Sequence, residues 1–161
     1  MKSLGPLIGV ICLGMPLFSN FSEQGNIEDL GRIDARAVKF DNETVLNPSF
    51  KIHHMYGDTL EHKGQSVWLN GVDENEEFHF CLSYHFVFQD EAAIVRCCQY
   101  AYKFKSSVEK GNIHGVQFHP EKSQYIGFKM IQKFLSLHEK GEFLSPNSLF
   151  RIILNTIKGV L

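Results

Sequence analysis

Cysteine is scarce in this chain: Cys12, Cys81, Cys97 and Cys98 are the only four among 161 residues. That is too few for a disulfide scaffold at this length, and no CxxC pair occurs, so a reducing, cytoplasmic compartment is expected. Neither sign of charge dominates. Sixteen Lys and Arg against 18 Asp and Glu leave a net charge of −2, which gives no basic surface for general nucleic-acid binding. No apolar run approaches the ~20 residues of a membrane-spanning helix. The opening MKSLGPLIGVICLGMPLF has the lysine and apolar character of a secretory signal. However, Gly5, Pro6, Gly9, Gly14 and Pro16 interrupt it, Ile11 rather than a small residue precedes Cys12, and no A-x-A-like site follows. Internal repeats, charge blocks and low-complexity linkers are absent as well. What remains is an ordinary globular composition, 43% apolar and 21% charged, of a size that fits a single domain over residues 1–161.

Hydropathy patterning supplies the elements. Leu7–Ile11 reads as a buried strand, continuous in apolar residues as a central parallel strand is. It runs into a sharp turn at Cys12-Leu13-Gly14 and then an amphipathic helical stretch from Met15 to Phe21, with Pro16 in its first turn. Short strands are expected at Ala37–Phe40, Ala92–Tyr100 and Ile113–Phe118, the last stopped by Pro120. Val67-Trp68-Leu69 leads into an Asn70-Gly71 turn. Phe78–Phe88 reads as a strand pair or one long bent strand, and Tyr102–Val108 fits helix or strand equally. Phe50–Tyr56 is mixed and bounded by turn signals. Ser123–Leu137 places Ile126, Met130, Ile131, Phe134 and Leu135 on one helical face, as in a helix packed on a sheet. A last helix is expected over Leu149–Val160.

Two segments carry candidate chemistry. Cys12 sits at a strand-to-helix elbow, where a tight turn holds a side chain out of the sheet and a helix N-terminus favours thiolate. The second segment is Gly115-Val116-Gln117-Phe118-His119-Pro120-Glu121-Lys122-Ser123. His119 and Glu121 are two apart, so in extended chain they project to the same side. A carboxylate so placed fixes the imidazole tautomer and stabilises its charged form. A cysteine opposite such a pair is a thiol-nucleophile arrangement, while a strand end with solvated polar residues reads the same spacing equally well. His53 and His54, adjacent and pointing apart, make a poor metal pair. Cys97-Cys98 and Trp68 read as packing, and Lys39, Lys51 and Lys63 as solvated.

Ile11-Cys12-Leu13-Gly14-Met15 and Gly115-Val116-Gln117-Phe118-His119-Pro120-Glu121-Lys122-Ser123-Gln124 resemble the two signature segments of the class I (triad) glutamine amidotransferases. The resemblance is nearest to the HisH glutaminase subunits of imidazole glycerol-phosphate synthase. Leu30-Gly31 with Val38-Lys39-Phe40, then His54-Met55, then Phe80–Tyr84 agree in order, and the likeness is strongest over residues 6–137. It implies an α/β fold, flavodoxin-like, with a mixed, mainly parallel sheet flanked by helices. It implies Cys12, His119 and Glu121 as catalytic residues, and Leu13, Gly14, Ser83 and Tyr84 around the substrate. The activity implied is hydrolysis of glutamine to glutamate, with ammonia passed to a HisF-like (β/α)8 cyclase in a heterodimer of histidine biosynthesis. No cofactor, metal, nucleic acid or membrane is implied.

The chain departs from that pattern in several places. The family's opening strands and helices, with the glycine-rich loop that supplies an oxyanion donor, have no counterpart, so an N-terminally truncated member is expected. Two residues, Val10 and Ile11, separate Gly9 from Cys12 where the family has one. Pro16 stands in place of a substrate-contacting glutamine, Gln24 in place of an acid, and His85 in place of a tyrosine. The interface segment reads His53-His54-Met55-Tyr56-Gly57-Asp58. These departures leave a truncated, catalytically impaired remnant or docking protein as one alternative and, from His85, a paralogue supplying ammonia for amidino sugars of surface polysaccharide as another; a stand-alone glutaminase or glutamyl hydrolase is a third.

Overall fold

A computed structural model describes residues 7–41, 55, 57–89, 91–100 and 102–140. The expectations for residues 50–54 and 56 and for residues 149–160 lie outside them, as do His53, His54 and Lys51. In chain order the strands are β1 (Ile8–Ile11), β2 (Phe21–Ser22), β3 (Ile27–Glu28), β4 (Ala35–Lys39), β5 (Gly57–Thr59) and β6 (Glu61–His62). They continue as β7 (Glu77–His79), β8 (Tyr84–Phe88), β9 (Ile94–Gln99), β10 (Lys103–Lys110) and β11 (Ile113–Val116), and helix α1 spans Gln124–Lys140.

The main sheet runs β1-β11-β10-β8-β4-β2-β3, with β9 also pairing β10 and β6 pairing β9. It is mixed, as expected of the fold class, but its balance differs from the expected one. β1/β11 and β2/β4 are parallel, whereas β10/β11, β10/β8, β10/β9, β4/β8, β2/β3 and β6/β9 are antiparallel. The reason is local. A parallel pair needs a long crossover, while adjacent antiparallel strands need only a tight turn. Between β10 and β11 that turn is the two residues Gly111 and Asn112, and Gly111 has φ +61°, the left-handed backbone that glycine adopts without penalty. Tyr102–Val108, open in sequence, is strand for the same reason: it pairs with β9 on one side and β11 on the other.

Phe78–Phe88 resolves into two strands rather than a hairpin. β7 pairs β5 in a separate two-stranded sheet, and β8 pairs β4 and β10. The helix expected after the elbow does not form. Cys12–Gly14 and Pro16–Phe18 are two single 3-10 turns, and the chain is already in β2 at Phe21. Pro16 opens the second turn, where a proline costs no hydrogen bond; the turn is too short to carry a macrodipole, so the expected helix-dipole effect on Cys12 has no basis.

Two apolar clusters pack the sheet, and adjacent residues of β9 divide between them. Val95 and Cys98 join Trp68, Phe78, Phe80, Phe104 and Phe118 and the α1 face of Ile126, Met130 and Phe134. Ile94 and Cys97 join Val10, Met15, Ala35, Ala37, Phe86 and Val108. Trp68 is core, and its indole N–H donates to the Met130 carbonyl at 2.9 Å. Cys97 and Cys98 are buried, and burial pushes both thiols up. Lys39 and Lys63 are exposed. Among the described residues no helix is long and apolar enough to cross a membrane, and no three His, Cys, Asp or Glu side chains cluster in a way that would hold a metal ion.

Candidate active site

The site forms where β1 and β11 end side by side. The two strands are parallel and in register from Ile8↔Ile113 to Ile11↔Val116. Each then leaves the sheet at the same edge, which sets Cys12 and the Gln117–His119 segment next to one another.

Cys12 follows β1 directly and has φ +44°, a left-handed backbone that non-glycine residues adopt at a cost and that recurs at reactive turns. Its side chain is 5% exposed. Gly14 lets the turn close: a Cβ there would lie 2.9 Å from a Val10 methyl. The thiol sulfur lies 3.7 Å from the Cys81 carbonyl oxygen, a weak S–H···O contact. It also hydrogen-bonds the His119 imidazole.

His119 lies three residues beyond β11, directly after the bend at Gln117 and Phe118. Its Nδ1 is 2.7 Å from Glu121 Oε1, which leaves Nε2 for the thiol. The backbone of His119 is held by a set of three bonds that links it to His79 and Ser123. The His119 N–H donates to the His79 carbonyl at 2.8 Å. The Ser123 hydroxyl donates to the His119 carbonyl at 2.7 Å and accepts the His79 N–H at 3.0 Å. Charge follows from these contacts. The hydrogen bond to Cys12, then the one to Glu121, raise the His119 imidazole to about 9, against the opposing effect of burial. Burial pushes the Glu121 carboxyl up, but the bonds from His119 and from its own backbone N–H outweigh it, so the carboxyl stays below its usual range. An imidazole that holds a proton this firmly is a strong base toward a neighbouring thiol.

In front of the thiol lies a cleft of about 150 Å³. Of the residues expected around a substrate, Leu13, Ser83 and Tyr84 line it with Cys12, and Gly14 instead packs against Val10 behind the turn. Pro16 and Gln24, two of the departures from the family pattern, are also on the wall. The sequence reading missed Cys81, Gln117 and Ser123. Ser123 and Gln117 stand inside the second signature segment, but spacing alone gives them no role. Cys81 acts through its carbonyl, which no side-chain pattern reveals.

No family model matches the chain. Individual relatives do. The chain is 41% identical over 130 residues to imidazole glycerol phosphate synthase subunit HisH 2 of Methanococcus maripaludis, covering 81% of this chain and 62% of that protein. It is 38% identical over 133 residues to subunit HisH 1 of Campylobacter jejuni, covering 82% and 63%. It is 34% identical over 135 residues to subunit HisH of Aromatoleum aromaticum, covering 81% and 63%. The chain thus spans less than two-thirds of these relatives' length. A crystal structure from Thermoplasma acidophilum, of a protein assigned to GMP synthase, superposes with a TM-score of 0.58 at 13% identity, covering 84% of this chain and 58% of that one. At that identity the match speaks for the fold. With signature segments and HisH relatives in agreement, the chain resembles the class I glutamine amidotransferases and is similar to the HisH subunits over the part of their length that it spans.

Proposed function

We propose that this chain, as a single domain, is a glutaminase subunit of the imidazole glycerol phosphate synthase type, acting in the cytoplasm on free glutamine and handing ammonia to a (β/α)8 cyclase partner. The observation that carries the reading is the chain of contacts from thiol to imidazole to carboxylate, Cys12 to His119 to Glu121, with Cys12 on the wall of a cleft.

The chemistry follows from that order. Cys12 sulfur attacks the carboxamide carbon of glutamine as His119 Nε2 takes the thiol proton. Negative charge develops on the amide oxygen, within reach of the Leu13 backbone N–H that follows the nucleophile. His119 then gives its proton to the nitrogen, the C–N bond breaks, and ammonia leaves a glutamyl thioester. Water, deprotonated by the same imidazole, attacks the thioester carbon, and the sulfur departs to release glutamate. Glu121 holds the imidazole in the tautomer that these transfers need and stabilises it when charged. Ser83 and Tyr84 border the space for the glutamine backbone.

Leu13, Leu17, Leu30 and Met55 are each more than half exposed, and Leu13 and Met55 flank the cleft. Apolar surface at the mouth of an ammonia-producing site suits a partner that caps it. The test is glutamate release by the chain mixed with a HisF-type cyclase, with Cys12→Ala as control. Glutamine hydrolysis that depends on both the partner and Cys12 is expected. Equal rates for the two proteins would overturn the proposal and leave a docking protein.

A further inference from the structure

We infer that Gln117 is the acceptor that holds the substrate's carboxamide nitrogen, which makes it a specificity-determining residue for amides; the inference rests on the proposed glutaminase reading and deepens it. Gln117 follows β11, and its backbone is fixed by an N–H donated to the Ser106 carbonyl at 2.9 Å. The residue is 3% exposed, yet its side chain forms part of the wall of the Cys12 cleft. Its Oε1 is buried without a hydrogen-bond partner. A buried amide carbonyl left unpaired costs stability, so such a group in a binding cleft is accounted for when a ligand brings the missing donor. Other described residues also have buried unpaired polar atoms, namely His85, Arg96, Ser106, Ser107 and His114, but none of those five lines this cleft.

Glutamine offers two donors, its α-ammonium and its carboxamide NH2. Position chooses between them. Gln117 lines the cleft together with Cys12, and the His119 imidazole bonds the Cys12 thiol, so the two side chains approach the same sulfur. The nitrogen that must lie beside His119, because His119 protonates it, is that of the carboxamide. An acceptor next to the same nitrogen orients its lone pair toward the imidazole and its hydrogens toward Gln117. It also discriminates: an ester in place of the amide has no N–H to give, so it gains nothing from Gln117.

The experiment reads protection of Cys12 from iodoacetamide in the full chain, followed peptide by peptide by mass spectrometry. The protecting probes are L-glutamine and L-glutamate γ-methyl ester. Gln117→Met keeps the volume and removes the acceptor, and is expected to raise the half-protecting glutamine concentration about tenfold, the effect of one lost hydrogen bond, while ester protection stays within about twofold. Gln117→Glu keeps an acceptor and is expected to restore glutamine protection. The ester also reports that each variant is folded. Equal loss for both probes would assign Gln117 to the α-ammonium or to packing and overturn the inference, as would no loss for either. If glutamine fails to protect the unaltered chain while iodoacetamide still reaches Cys12, the glutaminase reading itself falls.

Discussion

Cys12 is buried, reactive in position and strained at once, and these properties can be separated by substitution. Its φ of +44° costs a non-glycine residue about 1–2 kcal/mol, whereas glycine is free of that cost. Cys12→Gly is therefore expected to be more stable than Cys12→Ala by about 1 kcal/mol, read as a higher urea midpoint. Equal midpoints would show that the turn carries no strain. The imidazole offers a second test. His119 is raised to about 9, first by Cys12 and then by Glu121. Glu121→Gln replaces the charged acceptor by a neutral amide, so the His119 titration followed by NMR is expected to move down toward its ordinary value. Hydrolysis is expected to fall by about 100-fold or more, the scale of a misplaced general acid–base group. The thiol, imidazole and carboxylate were legible in sequence because each is chemically distinctive and two lie in one short segment. The cleft wall was not, since Cys81 contributes a carbonyl and Gln117 contributes burial, neither of which a residue pattern encodes.

At the scale of elements, α1 was legible and the turn after β1 was not. The apolar spacing of Ile126, Met130 and Phe134 survives as the buried face of α1. The stretch from Met15 to Phe21 has similar amphipathicity, but it is too short to stabilise a helix nucleus, and the parallel pairing of Phe21 and Ser22 with β4 competes for its end. Strands of two or three residues such as β2, β5 and β6 leave little periodicity to detect, and their pairing with β4, β7 and β9 joins segments well apart in the chain. The start of α1 is tied tightly to the segment that carries His119 and Glu121: a Cβ on Gly127 would fall 1.8 Å from the Pro120 carbonyl oxygen. Gly127→Ala must therefore displace the Pro120–Lys122 turn that bears Glu121. A loss of about 1–3 kcal/mol in urea unfolding is expected, together with a drop in His119-dependent alkylation of Cys12. A variant with unaltered stability would mean that α1 can shift at no cost.

For the whole molecule, pH is the global probe. Burial pushes the Glu109 carboxyl up, but the His114 imidazole 3.6 Å away and hydrogen bonds from the Ser66 hydroxyl and the Val67 N–H outweigh it and bring it down to about 2. Its contribution is thus complete above the unfolded value of 4.5 and is lost as pH falls through about 2. His119 has the opposite sign. Its contribution is complete below the unfolded value of 6.5 and is lost as pH rises through about 9. Of these two groups, both contribute fully only between 4.5 and 6.5, where urea unfolding is expected to show its plateau. Glu109→Gln is expected to flatten the acid limb and leave the alkaline limb in place. The fold class was legible from the whole chain because its two signature segments resemble those of a family with that fold. The balance of strand directions was not, because it depends on which distant segments meet.

The ladder between β1 and β11 has a consequence beyond holding the sheet together. Sulfur and imidazole hang from neighbouring rails whose last rung is Ile11↔Val116, so the gap between them is gauged first by main-chain geometry. Prising those two rails apart would part sulfur from imidazole without altering either group, and slow deuterium uptake at that rung would report that the pair is held together.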